Sequence, residues 1–134
     1  MTLPLIESHP DALGGLDPAA IANCIDECLA CIRACTVCAD ACLSEPDPGE
    51  LAHCIRTDLD CAAICTATAQ ILSRRTGTTG VLDKLLQACE EACRACAGEC
   101  ERHATHHRHC ALCAEACRSC EDACRQLREH LVGR

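Results

Sequence analysis

The chain has 134 residues, enough for one domain around a single core. Aromatic residues are absent and 18 residues are cysteine, so Ala and Cys rather than large rings must fill that core. A net charge of −8 excludes the Lys/Arg-rich surface that nucleic-acid phosphates require.

In chain order, residues 1–16 read as a flexible lead-in containing Pro4, Pro10, Gly14 and Gly15, and residues 17–134 read as one domain. The segment from Met1 to Pro18 has no basic n-region and no Arg-Arg pair, and its apolar stretches are only a few residues long. No export signal or membrane span is therefore expected, and the expected location is the cytoplasm. Asp17-Pro18 supplies an N-cap followed by proline at the first helical position. The first helix should run from about Pro18 to about Ser44, where Glu45-Pro46-Asp47-Pro48 breaks it. Asp47 and Glu50 form a capping-box pattern for a second helix reaching to about Arg75. Thr76 to Gly80 reads as a turn, a third helix spans about Val81 to His103, and a fourth about His106 to Leu131 with Thr105 as its N-cap. Short connections between long helices predict an all-α, antiparallel up-down-up-down four-helix bundle.

The cysteines fall on the period of those helices. The first carries Cys24, Cys28, Cys31, Cys35, Cys38 and Cys42; the third carries Cys89, Cys93, Cys96 and Cys100; the fourth carries Cys110, Cys113, Cys117, Cys120 and Cys124. Steps alternating between three and four mark the inward seam of a bundled helix, so thiols stand where leucine normally does. The second helix has Cys54, Cys61 and Cys65, with Asp58 at the missing seam position. An inward carboxylate is costly unless it is paired or ligated, which makes Asp58 a candidate ligand.

The topology makes the two ends of the bundle different. At the end holding both termini the seam becomes Ile21, Leu72, Leu82, Leu86 and Leu131, with Leu85 and Leu127 nearby, a hydrocarbon plug. The other end collects His103, His106, His107 and His109, with His53 about one turn into the second helix. His103 follows Cys100 by three and His106 precedes Cys110 by four, so both extend the thiol seam. Imidazoles at the polar end of a thiol column read as a gate for metal. His53, beside the seam, is a weaker candidate, and His9 and His130 read as surface residues.

Dense cysteine in a reducing compartment points to metal rather than disulfides, and thiolates select Cu(I), Zn(II) or iron–sulfur clusters. A zinc ion in four thiolates leaves a net charge of about −2, and a buried stack of such sites repels itself. Cu(I) sitting between bridging thiolates tends toward one metal per sulfur and a nearly neutral column. Neighbouring seam residues, about 5–6 Å apart at Cβ, suit such a low-coordinate ion. Iron–sulfur motifs wrap a cluster with loop spacing, often with proline after a cysteine; here the spacing is helical and no proline directly follows one. No nucleophile, base or carboxylate pair stands apart, so the chain does not read as an enzyme.

The seams, notably Cys89-x-x-x-Cys93-x-x-Cys96-x-x-x-Cys100 followed by the His-rich turn and Cys110 to Cys124, resemble those of the bacterial four-helix-bundle copper storage proteins, in the cytosolic branch lacking an export signal. The resemblance covers about residues 18–131. It implies storage and buffering of many Cu(I) ions as thiolate-bridged clusters, close to one per cysteine, protection against copper toxicity, and a homotetramer. It also implies His rather than Met near the open end and Asp58 among the ligands; copper chaperones or low-molecular-weight thiols are the expected donors. The chemistry alone leaves open a zinc or cadmium sink, or a thiol redox or iron–sulfur protein.

A second apolar stripe independently points to self-association. It comprises Ile25, Leu29, Ile32 and Leu43 on the first helix and Ile55, Leu59, Ala62 and Ala69 on the second. Equivalent sites on the other two helices hold Glu90, Arg94, Glu101, Arg118, Glu121 and Arg125.

Overall fold

The computed structural model describes residues 1–10, 16–74 and 79–132. Its elements are α1 (Thr2–Glu7), α2 (Pro18–Leu43), a 3₁₀ turn (Pro48–Leu51) running into α3 (Ala52–Leu72), α4 (Thr79–His103) and α5 (Arg108–Val132). Among the described residues there is no strand.

The start of α2 follows from its cap: the Asp17 carboxylate accepts the Ala19 N–H at 3.1 Å, and Pro18 occupies the first turn. The expected capping box before α3 does not form. Asp47 makes no side-chain cap; its carbonyl accepts the Glu50 N–H at 3.3 Å instead, and Pro48 opens the 3₁₀ turn. A backbone i→i+3 bond thus does the work assigned to the side chains. Thr79 and Gly80 belong to α4 rather than to the expected turn, while residues 75–78 lie outside the described residues. Thr105 is not the cap of α5: Thr105 and His106 lie in the turn, and the His107 carbonyl accepts the N–H groups of Cys110 and Ala111 at 3.1 and 3.2 Å.

Within the segment read as a lead-in, Thr2–Glu7 form α1. Leu3 and Ile6, three apart on one face of α1, pack against the core, and Thr2 donates to the Asp26 carboxylate at 2.6 Å. That apolar pair gives six residues a reason to be helical that proline and glycine counting misses. Gly14 and Gly15 lie outside the described residues.

The long helices form a ring: α2 packs on α3 and α5, and α4 packs on the same two. Sulfur contacts fix the directions. Cys24 meets Cys124 while Cys38 meets Cys110, so α2 and α5 run antiparallel. Cys54 meets Cys100 while Cys65 meets Cys89, so α3 and α4 do too. This is the up-down-up-down bundle the short connections predict. Its terminal end is closed by Ile21, Leu72, Leu86, Leu127 and Leu131, all buried, with Leu82 packed against them.

The outer faces differ in kind. Between α4 and α5, Arg94 bridges Glu90, Glu91 and Glu121, Arg118 bridges Glu101 and Glu121, and Arg128 bridges Asp83 and Glu90. On α2 and α3, Ile25 and Ala69 of the apolar stripe are buried within the chain, whereas Leu29, Leu43 and Leu59 are exposed and Val37 joins them.

Candidate metal centre

Because the heptad spacing turns every cysteine inward, all 18 thiols are 0–1 % exposed, and all are free. The nearest sulfurs stand 3.6–4.0 Å apart, far beyond a disulfide bond, and the contacts run the length of the bundle. Near the plug, Cys28 meets Cys120 at 3.7 Å and Cys65 meets Cys89 at 3.8 Å. At mid-height Cys31 touches both Cys61 and Cys117, at 3.6 and 3.7 Å. Cys35 touches Cys96, Cys113 and Cys117 at 3.7–3.8 Å.

These contacts resolve into four-ligand groups whose donor atoms all lie within 4.8 Å of one another. One is Cys28, Cys65, Cys89 and Cys120; the next is Cys31, Cys65, Cys93 and Cys120. A third is Cys31, Cys35, Cys61 and Cys117, and a fourth Cys35, Cys96, Cys113 and Cys117. Cys31, Cys35, Cys65, Cys117 and Cys120 each belong to two of these four groups. A sulfur shared between adjacent groups must bridge if both are filled. The geometry is a continuous column, not a row of separate tetrahedral pockets.

Asp58 interrupts the column as the seam requires. It is 0 % exposed, and its Oδ1 lies 3.1, 3.3 and 3.6 Å from the thiols of Cys96, Cys113 and Cys100, which donate to it. Its Oδ2 is buried without a hydrogen-bond partner. Burial, reinforced by the surrounding thiols, pushes the carboxyl up to about 12, so it holds its proton at neutral pH. Thr68, a buried polar residue further along α3, is satisfied locally by donating to the Ile64 carbonyl at 2.8 Å.

At the polar end the histidines separate. His109 Nδ1 lies 3.4 Å from Cys38, 3.6 Å from Cys110 and 3.9 Å from Cys42, completing a group of three thiols and one imidazole. Burial disfavours its imidazolium, but the Cys38 thiol and the Glu45 carboxylate more than offset that and raise its pKa. Burial likewise pushes the Cys42 and Cys110 thiols up. His107 stacks on His109, with ring centroids 5.3 Å apart. His103 turns to Glu99 at 3.2 Å, and His106 and His53 are exposed. The structure therefore brings one histidine to the thiols, and not one of the two that extend the seam by spacing. Sequence reasoning also missed Glu45, which reaches both His107 and His109. Its one signal is an acidic side chain at the carbonyl end of α2, where the helix dipole disfavours it.

A profile described as copper storage protein matches residues 17–129. The chain belongs to that family. It is similar to the copper storage protein Ccsp of Streptomyces lividans, solved loaded with 10 copper equivalents, at 56 % identity over 96 % of this chain and 98 % of that one, with a TM-score of 0.94. A second structure, of a cytosolic copper storage protein from Streptomyces lividans with five coppers, is 60 % identical over 83 % of this chain and 93 % of that one, with a TM-score of 0.82. The metal-free copper storage protein 3 of Bacillus subtilis is 33 % identical over 79 % of this chain and 96 % of that one, with a TM-score of 0.69. No curated protein matches the chain in sequence.

Proposed function

We propose that the chain stores and buffers Cu(I) in the cytosol, holding the metal as thiolate-bridged clusters inside the bundle and so limiting its toxicity. The observation that carries this reading is the overlap of the four-ligand groups. Each Cu(I) that binds replaces one thiol proton, so charge stays balanced however many enter. Zinc in the same overlapping groups would leave negative charge accumulating in a dry core. The copper-loaded Streptomyces relatives, one described as cytosolic, support the reading, and storage rather than catalysis is the role that follows.

In this reading the 18 cysteines are the ligands, Asp58 adds an oxygen donor at its otherwise unpartnered Oδ2, and His109 adds a nitrogen at the polar end. His103 and His107 flank that port, where copper chaperones or small thiols deliver metal. The exposed leucines of α2 and α3 support self-association, with the tetramer implied by family resemblance as its form.

The test is an anaerobic Cu(I) titration of reduced protein against a strong chromophoric chelator. Uptake close to one copper per cysteine, before the chelator reports any, is expected. Saturation after a few equivalents would sink the storage reading. With no Trp or Tyr, the near-ultraviolet window is clear for sulfur-to-copper transitions.

A further inference from the structure

We propose that Glu45 is a positioning residue: it accepts the Nε2–H of His109 and so presents the lone pair of Nδ1 to the thiols of Cys38, Cys42 and Cys110. A neutral imidazole carries one N–H and one lone pair, and an ionised carboxylate can only accept. Glu45 Oε1 lies 3.2 Å from His109 Nε2, while Nδ1 faces the three sulfurs at 3.4–3.9 Å. The opposite tautomer would set a nitrogen lone pair against a carboxylate oxygen and turn an N–H toward the place where metal binds. The second oxygen of Glu45 lies 3.5 Å from Nδ1 of His107, so one side chain orders both stacked rings.

The placement of Glu45 supports a purpose beyond local stability. Its N–H bonds the Cys42 carbonyl at 3.3 Å, anchoring it at the C-terminal end of α2, where a carboxylate opposes the helix dipole. Among the described residues its ion-pair partners are histidines, not Arg or Lys. Pro46 follows directly and stiffens the chain that carries it. Carboxylates behind metal-binding imidazoles set ring orientation and tautomer in just this way.

The inference rests on the thiol column being a Cu(I) store, and two readouts keep the questions apart. In metal-free protein, at a pH where the His109 imidazole is neutral, ¹⁵N shifts should show it as the Nε2–H tautomer, and Glu45→Ala should convert it to a mixture. Glu45→Gln, whose amide oxygen still accepts an N–H, should restore most of the wild-type pattern. In stopped-flow loading from a chromophoric Cu(I) chelate, Glu45→Ala should slow the first equivalents about tenfold. The same change in a His107→Ala/His109→Ala background should slow them no further. An unaltered tautomer in Glu45→Ala, or an equal slowing in that background, would overturn the proposal. A wild-type protein that binds only a few coppers would sink the storage reading, while the tautomer measurement would still decide the role of Glu45.

Discussion

The two ends of the bundle are built from one heptad seam and do opposite things with it. At the terminal end the seam runs into Ile21, Leu72, Leu86, Leu127 and Leu131, a hydrocarbon layer with no ligand atom to offer. At the other it runs into Cys42, Cys110 and His109, with Glu45 behind the ring. A core filled with small thiols lacks the large side chains that usually dominate core stability. The contrast teaches that the molecule separates its tasks: leucines fasten one end, and the rest of the column is left to chemistry.

The largest expected effect tests the fastening. Leu127→Ala, at a fully buried site, should destabilise the metal-free protein by about 2–5 kcal/mol in urea unfolding. It should leave the copper capacity of the folded protein at the wild-type value, because it removes no sulfur. Lost capacity at full folding would mean that the plug also shapes the clusters.

The next effect lies within the thiol column and has the opposite sign. The Asp58 pKa is raised from 3.8 to about 12 in the folded chain, so at neutral pH the folded state keeps a proton that the unfolded state has lost. The stability tied to this group is complete below about pH 4 and declines as pH rises toward the folded value, by up to about 1.4 kcal/mol per pH unit. Asp58→Asn mimics the protonated side chain. It should flatten the pH 4–7 stability profile and leave the metal-free protein more stable at pH 7 by up to about 4 kcal/mol. An undiminished slope would show that other groups cause it.

How legible these features were depended on their range. Seam spacing gave the bundle, the inward cysteines and Asp58, because a helix converts steps of three and four directly into a face. Asp17-Pro18 gave the start of α2 for the same local reason. The failures came where a side chain or backbone group answered to something distant or had a local competitor. Leu3 and Ile6 make α1 worthwhile only because the core lies beneath them. The Asp47 capping box lost to a 3₁₀ turn. The partnership of Glu45 with His109 spans 64 positions, and nothing in the local sequence joins the two.

Two smaller effects sharpen the comparison, one at each end. His109→Ala should slow loading from a chelate about tenfold while shifting metal-free stability by less than about 1 kcal/mol, a pattern inverse to that of Leu127→Ala. Comparable slowing with equal loss of stability would make His109 a packing residue. Asp17→Ala should cost about 1 kcal/mol of stability by removing the cap of α2, with no change in loading.

The smallest effect is the most discriminating. By spacing, His106 precedes Cys110 by four and belongs on the thiol seam, but that spacing has meaning only within a helix. Because α5 begins at Arg108, His106 lies in the turn and is exposed. His106→Ala should therefore change the loading rate by less than about twofold, within the small range of exposed substitutions. Slowing as large as that of His109→Ala would place the first contact with copper outside the bundle, in the turn itself. The functional end would then begin before the thiols do, and the boundary between the two ends would have to be drawn from the turn inward.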